Sequence, residues 1–204
     1  MVRRTRVVAA SLMLGAAAVA LGCASSARPR DPAMISPERR HSEAVKAAGE
    51  AEKLANSGRI DEAIAKYQEA LAMAGDLQGA WNNLGELYMR RGDYADAVSA
   101  FGVAADLVPT DPRPLYNSGL VYQKVGWAKD AMEQYARALE RDPSMQDALR
   151  GHTVAADMLA YADQKTLDYI RRGLLREKDP TWRAFFERQR FRVEAQMRSE
   201  AERN

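Results

Sequence analysis

Trp81-Asn82-Asn83-Leu84-Gly85-Glu86-Leu87-Tyr88, followed by Ala97, Phe101, Ala104 and Pro109, decides the fold of this 204-residue chain. Its apolar residues recur three and four apart, the spacing that puts them on one side of an α-helix. Small residues at Gly85, Ala97 and Ala104 let two helices approach closely, and large ones at Trp81, Leu84, Tyr88 and Phe101 fill the space around them. Gly92 lies just past the first helical stretch, where a left-handed cap is wanted, and Pro109 stops the second from running on.

Outward from this stretch the same residue classes return every 34 positions. Gly58, Gly92 and Gly126 are so spaced, as are Ala63, Ala97 and Ala131, then Tyr67, Phe101 and Tyr135, then Ala70, Ala104 and Ala138. A fixed period of this length marks a stack of structural repeats, each a helical hairpin that cannot bury its apolar side alone. The unit that follows carries Leu115, Gly119, Tyr122, Ala131, Tyr135, Ala138 and Pro143, with Ser118 in place of a leucine, and Asp111-Pro112 offers it an N-cap and an initial proline. The preceding unit is weaker in its first helix, where Ala47, Glu50, Ala51 and Leu54 hold the equivalent places.

The pattern resembles the tetratricopeptide repeat family over residues 44–143. The resemblance implies an all-α chain, a right-handed α–α superhelix. Three clear helix-turn-helix repeats lie within residues 38–143, at 44–77, 78–111 and 112–145 by register, and a degenerate fourth and a capping helix occupy 146–204. It also implies a concave groove, lined by the first helix of each unit, that takes a peptide or helix of a partner protein. Carried over, the groove comprises Asn82, Asn83, Glu86, Met89 and Arg90, then Arg113, Tyr116, Asn117, Leu120, Gln123 and Lys124. Asn83 and Asn117 are equivalent, and their amides are expected to offer donor and acceptor to an extended backbone, with Tyr116 and Leu120 giving apolar contact. Some relatives clamp a partner's terminal carboxylate with basic residues. Asn83 and Arg113 stand at two clamp places, but Ala48, Glu52 and Asn117 at the others lack the charge or carry the wrong one, so no clamp is expected.

Beyond Gln146 the repeat decays. Leu149, Ala156 and Tyr169 keep their places, Thr153 and Lys165 replace small residues, and two helices are expected near 146–160 and 164–177. Asp179-Pro180 starts a further helix with Trp182, Phe185, Phe186, Val193 and Met197 along one side, Gln189 interrupting that stripe and Phe191 opposite it. Such a helix either caps the last repeat or offers a partner or dimer surface at Phe191. Residues 171–192 hold eight basic and three acidic side chains, which suit an acidic partner, anionic headgroups or simply a solvated face.

At the other end, Met1–Arg6 carries three arginines and Val7–Leu21 is apolar for about 15 residues, short of the roughly 20 that span a bilayer core. This reads as an export signal, residues 1–22. It ends Val19-Ala20-Leu21-Gly22-Cys23, similar to the lipobox of bacterial lipoproteins with its leucine displaced by one place, and Cys23 is the sole cysteine. The resemblance implies a lipid on Cys23. Ordinary secretion with cleavage after Ala27 is the alternative. Ala24, rather than aspartate, points by resemblance to the outer membrane. Residues 23–37, with Pro29, Pro32 and Pro37, read as a flexible tether.

Removing Arg3, Arg4 and Arg6 takes the formal charge from +2 to −1, which gives no argument for nucleic acid. His41 and His152 belong to no metal-spaced cluster, and no phosphate loop or nucleophile elbow occurs. The sequence therefore reads as a non-catalytic scaffold without cofactor, an envelope adaptor binding a protein through its groove. The alternative is a structural assembly subunit that associates through its C-terminal helix.

Overall fold

The computed structural model describes residues 36–203. These form nine helices and no strand: α1 Pro37–Asn56, α2 Ile60–Met73, α3 Gln78–Arg91, α4 Tyr94–Leu107, α5 Arg113–Lys124, α6 Ala128–Arg141, α7 Gln146–Met158, α8 Gln164–Arg176 and α9 Pro180–Ala201. Each packs on the next. The odd-numbered helices also touch their second neighbours, α1 with α3, α3 with α5, α5 with α7 and α7 with α9, whereas the backbones of the even-numbered helices stay further apart, Lys165 of α8 reaching Glu140 of α6 at 3.0 Å through its side chain. The odd side is thus the inner side of a curved stack. On the outer side α2 and α4 leave a cleft of about 380 Å³ floored by Trp81, Leu84 and Tyr88 of α3.

The repeating turns have one geometry. Gly58, Gly92 and Gly126 have φ of +80°, +97° and +81°, and the amides of Arg59, Asp93 and Trp127 each donate to a carbonyl five residues back, on Leu54, Tyr88 and Tyr122. This is the Schellman closure, which satisfies helix-end carbonyls and needs a left-handed residue. The fourth hairpin repeats it without glycine. The Tyr161 amide donates to the Ala156 carbonyl, and Ala160, in the glycine's place, takes φ +48°.

The core follows the period as well. Tyr67, Phe101, Tyr135 and Tyr169 are buried at 34-residue steps. A Cβ built on Gly85 would lie 2.6 Å from the Phe101 ring, so the two helices meet through backbone there. Tyr135 is enclosed twice, by Gly119 of α5 and Gly151 of α7, where added Cβ atoms would come within 2.5 and 2.6 Å of its ring.

Two boundaries differ from expectation. Ser36 caps α1 by accepting from the Arg39 amide, and Pro37, expected as the last tether residue, is its first residue, so this helix starts ahead of the register position at 44. Prolines suit a helix's first turn because the missing N–H would be unpaired anyway. Before α5, Asp111 Oδ1 accepts from the Arg113 amide at 3.0 Å, and the helix starts at Arg113, with Pro112 as its cap. The export signal, Cys23 and the tether up to residue 35 lie outside the described residues.

Helix α9 docks on α8 and α7. Phe186 and Val193 are fully buried, Phe186 lying against Gly173, and Phe191 is 62% exposed. Gln189 does not interrupt the buried stripe. It is buried within it and accepts from Arg192 Nε at 2.7 Å. The corner between α8 and α9 is held by Glu177, whose side chain is 1% exposed. Its carboxylate accepts from Arg150 Nε and Nη2 at 2.9 and 2.7 Å, from Gln146 Nε2 at 2.8 Å, and from the amides of Lys178 and Asp179 at 3.0 Å. Arg150 also lies 5.1 Å from the Trp182 ring centre. The bonds from Arg150 are the main reason that this carboxyl is held down to about 2.

Candidate partner-binding groove

The expected groove residues all lie on α3 and α5, which meet on the inner side. They fall into three groups.

The first group is bonded internally. Asn82 is buried, and its Nδ2 donates to Glu86 Oε1 at 2.8 Å. Asn117 Nδ2 donates both to Asn82 Oδ1 at 3.1 Å and to Glu86 Oε1 at 3.3 Å. A carboxylate only accepts, so both amides must turn nitrogen toward Glu86. Asn117 has thereby used both amide hydrogens and offers a ligand its carbonyl alone. The donor-and-acceptor role expected of it is limited to acceptance, because the neighbouring unit claims the donors. Arg113 is likewise committed: its Nε and Nη2 grip Asp111 at 2.9 and 2.7 Å. Its guanidinium holds the Asp111 carboxyl below the ordinary range, with the Arg113 amide and Gln78 adding to the effect.

The second group surrounds a pocket of about 170 Å³ between α1 and α3, lined by Glu52, Ala55, Asn56, Tyr67, Asn83, Glu86, Leu87 and Arg90. Asn83 Nδ2 donates to the Tyr67 hydroxyl at 3.0 Å, and among the described residues its other N–H and its side-chain carbonyl have no partner. Burial pushes the Tyr67 phenol above its ordinary value, Asn83 opposes this, and Glu52 and Glu86 add to it. Glu86 and Arg90 are exposed at the pocket's edge.

The third group is an apolar strip on α5. Tyr116 is half-buried, its ring 5.8 Å from that of Tyr135, and Leu120 packs on the cluster of Ala131, Tyr135 and Ala155. Gln123 Oε1 accepts from the Tyr135 hydroxyl at 2.8 Å, Met89 packs beside Phe101 and Val121, and Lys124 is exposed at the end of α5.

Sequence reasoning did not place Asn56 and Tyr67 at the groove. The available signal was the tyrosine–phenylalanine–tyrosine series at the period: Tyr67 and Tyr135 send hydroxyls from second helices to Asn83 and Gln123, and Phe101 has none to send. His152 lies elsewhere. It is buried edge-on to Tyr169 at 4.7 Å, and burial pushes it down to about 4, so it is neutral at neutral pH. Among the described residues no cluster of His, Cys, Asp and Glu is placed to hold a metal, and no helix is long and apolar enough to cross a membrane.

Comparison with known proteins agrees with this architecture. Residues 48–112 and 112–145 match models of the tetratricopeptide repeat. Superkiller complex protein 3 of Homo sapiens is 30% identical over 124 residues, 58% of this chain and 8% of that protein. Photosystem I assembly protein Ycf3 of Prochlorococcus marinus is 32% identical over 90 residues, 43% of this chain and 50% of that protein. The chain thus spans half or less of these relatives. Among solved structures, the first tetratricopeptide domain of Spaghetti (RPAP3), bound to the HSP90 peptide SRMEEVD, superposes with a TM-score of 0.56 at 22% identity, covering 59% of this chain and 95% of that one. Such repeats generally mediate contact between proteins, and residues 48–145 of this chain are tetratricopeptide repeats.

Proposed function

We propose that this chain is a non-catalytic adaptor of the bacterial cell envelope, which captures an extended segment of a partner protein along α1, α3 and α5. The observation that carries this is that successive inner helices hold the unpartnered polar groups of Asn83 on α3 and the half-buried strip of Tyr116 and Leu120 on α5. A backbone needs bonds every second residue and side chains need somewhere apolar to lie, and this surface offers both. A diacylglycerol thioether on Cys23 would hold the adaptor at the membrane. Its support is the cysteine's position at the end of the apolar segment, and Ala24 favours the outer membrane.

Crosslinking in the native cell followed by mass spectrometry tests the adaptor reading. Partner capture is expected with the wild type and should be lost when Asn83→Ala is combined with Tyr116→Ala. Undiminished capture by that double variant would overturn it. Labelling with a fatty-acid analogue is expected on the wild type and not on Cys23→Ser.

A second reading, assembly through the C-terminal helix, has its own observation. Phe191 is exposed one residue from Arg192, whose guanidinium reaches the Tyr161 carbonyl, and exposed Trp127, Met158 and Leu159 line a hollow where α6 begins and α7 ends. On this reading the patch is covered by a second copy of the chain. Light scattering would show an oligomer that Phe191→Ala dissociates, whereas the adaptor reading expects a monomer throughout.

A further inference from the structure

We infer that the pocket between α1 and α3 receives a cationic side chain, lysine or arginine, of the captured polypeptide. The inference rests on the groove reading above and specifies what the groove selects.

Two carboxylates face this pocket, Glu52 from α1 and Glu86 from α3, and neither is in an ion pair among the described residues. Glu86 is held in place before any ligand arrives. Its Oε1 takes the amides of Asn82 and Asn117, and its Oε2 takes no bond. Asn83 is oriented too: its nitrogen turns to the Tyr67 hydroxyl, so its carbonyl is left as a further acceptor. The Tyr67 phenol, pushed up by burial, stays neutral and adds no charge of its own. An ammonium or guanidinium entering here meets acceptors already in position, and its desolvation is offset without rearrangement.

The walls suit the rest of such a side chain. Ala55 and Leu87 line the pocket with the polar groups, so a methylene stem can lie on apolar surface while its charged end reaches the carboxylates. A volume of about 170 Å³ holds one side-chain terminus rather than a folded element.

The cations of the groove complete the argument. Arg113 is neutralised by Asp111, and among the described residues Arg90 is the one cation lining the pocket, against two carboxylates. A partner carboxylate would find one arginine flanked by acids. The SRMEEVD peptide held by the RPAP3 domain is acidic, and the charge arrangement here opposes a ligand of that kind.

The test uses the full chain, detergent-solubilised, on an array of random nonapeptides, followed by fluorescence anisotropy with the best binder. Lysine or arginine is expected to be enriched at one position. Replacing that residue by acetyl-lysine should weaken binding about tenfold or more. Glu52→Gln should weaken it about fivefold. Among the described residues the Glu52 side chain makes no hydrogen bond or ion pair, so this variant leaves the fold intact. Arg90→Gln should tighten it about twofold to threefold by removing a like charge. Binding without basic enrichment, or with acidic enrichment, overturns the inference and leaves the groove reading standing. Binding of free cadaverine as tight as that of the peptide would overturn the assignment to a polypeptide side chain. If no peptide binds at all, or if Tyr116→Ala leaves peptide binding unchanged, the groove reading fails and takes the inference with it.

Discussion

The first three hairpins and the fourth close their turns by the same hydrogen bond but with different residues. Leu54–Arg59, Tyr88–Asp93 and Tyr122–Trp127 are joined across glycines, and Ala156–Tyr161 is joined across Ala160. A left-handed alanine costs about 1 kcal/mol or more relative to glycine. The fourth hairpin has kept the backbone of the repeat after losing the residue that makes it easy. Its compensation lies in side chains that the other three lack: the Glu177 cluster at the α8–α9 corner, and the docking of Phe186 and Val193. Repetition stabilises the first part of the stack. One polar corner and one apolar stripe stabilise the last.

If so, the two parts should respond differently to substitution. Glu177→Ala removes the buried carboxylate that partly exposed Arg150, Gln146 and two backbone amides share, and should cost about 2–3 kcal/mol. Urea unfolding should then show α8 and α9 melting ahead of the first three hairpins, and a single unchanged transition would argue against the corner's role.

Acid should also act first at the C-terminal end, in two windows. His152 ordinarily titrates at 6.5 and is pushed down to about 4 in the fold. The unfolded chain therefore binds its proton first, and stability is lost as pH falls from 6.5 to 4. Glu177 falls from 4.5 to about 2, so its contribution is present above 4.5 and lost as pH falls toward 2. Each window carries about 3 kcal/mol. Stability measured against pH should lose the upper window in His152→Gln and the lower one in Glu177→Gln.

In the regular part, Gly119→Ala should cost about 2 kcal/mol, because its Cβ would meet the Tyr135 ring and one of the two helices must shift. The smallest effects separate the two turn types most directly. Gly126→Ala should destabilise by about 1 kcal/mol and Ala160→Gly should stabilise by about as much, both read from thermal midpoints. Equal and negligible effects would mean that the backbone at Ala160 is not strained.

How far the sequence could be read follows the same division. The period located the hairpins, the left-handed glycines and the buried Tyr67–Phe101–Tyr135 series, because those places are set by backbone geometry that recurs unchanged. It did not reveal that Asn117 donates to Asn82 and that both donate to Glu86. That link joins residues 35 apart rather than 34, so it depends on how one unit sits on the next, which no single unit encodes. Ala160 was hidden because alanine gives no signal of a left-handed turn. Gln189 looked like a break in an apolar stripe because its partner, Arg192, is one turn further along its own helix. Pro37 was assigned to the tether because proline marks loops and helix starts alike.

Close backbone approach between successive odd-numbered helices, where the even-numbered ones keep further apart, makes the inner row the stiff edge of the stack and the outer row the compliant one. A structure built this way flexes like a book about its spine, each page turning by a small angle. The breadth offered to a partner is then the sum of those angles over all units. A substitution such as one at Gly151, remote from Asn83, would change how widely the groove opens at its far end, and so alter affinity without touching anything that the partner touches.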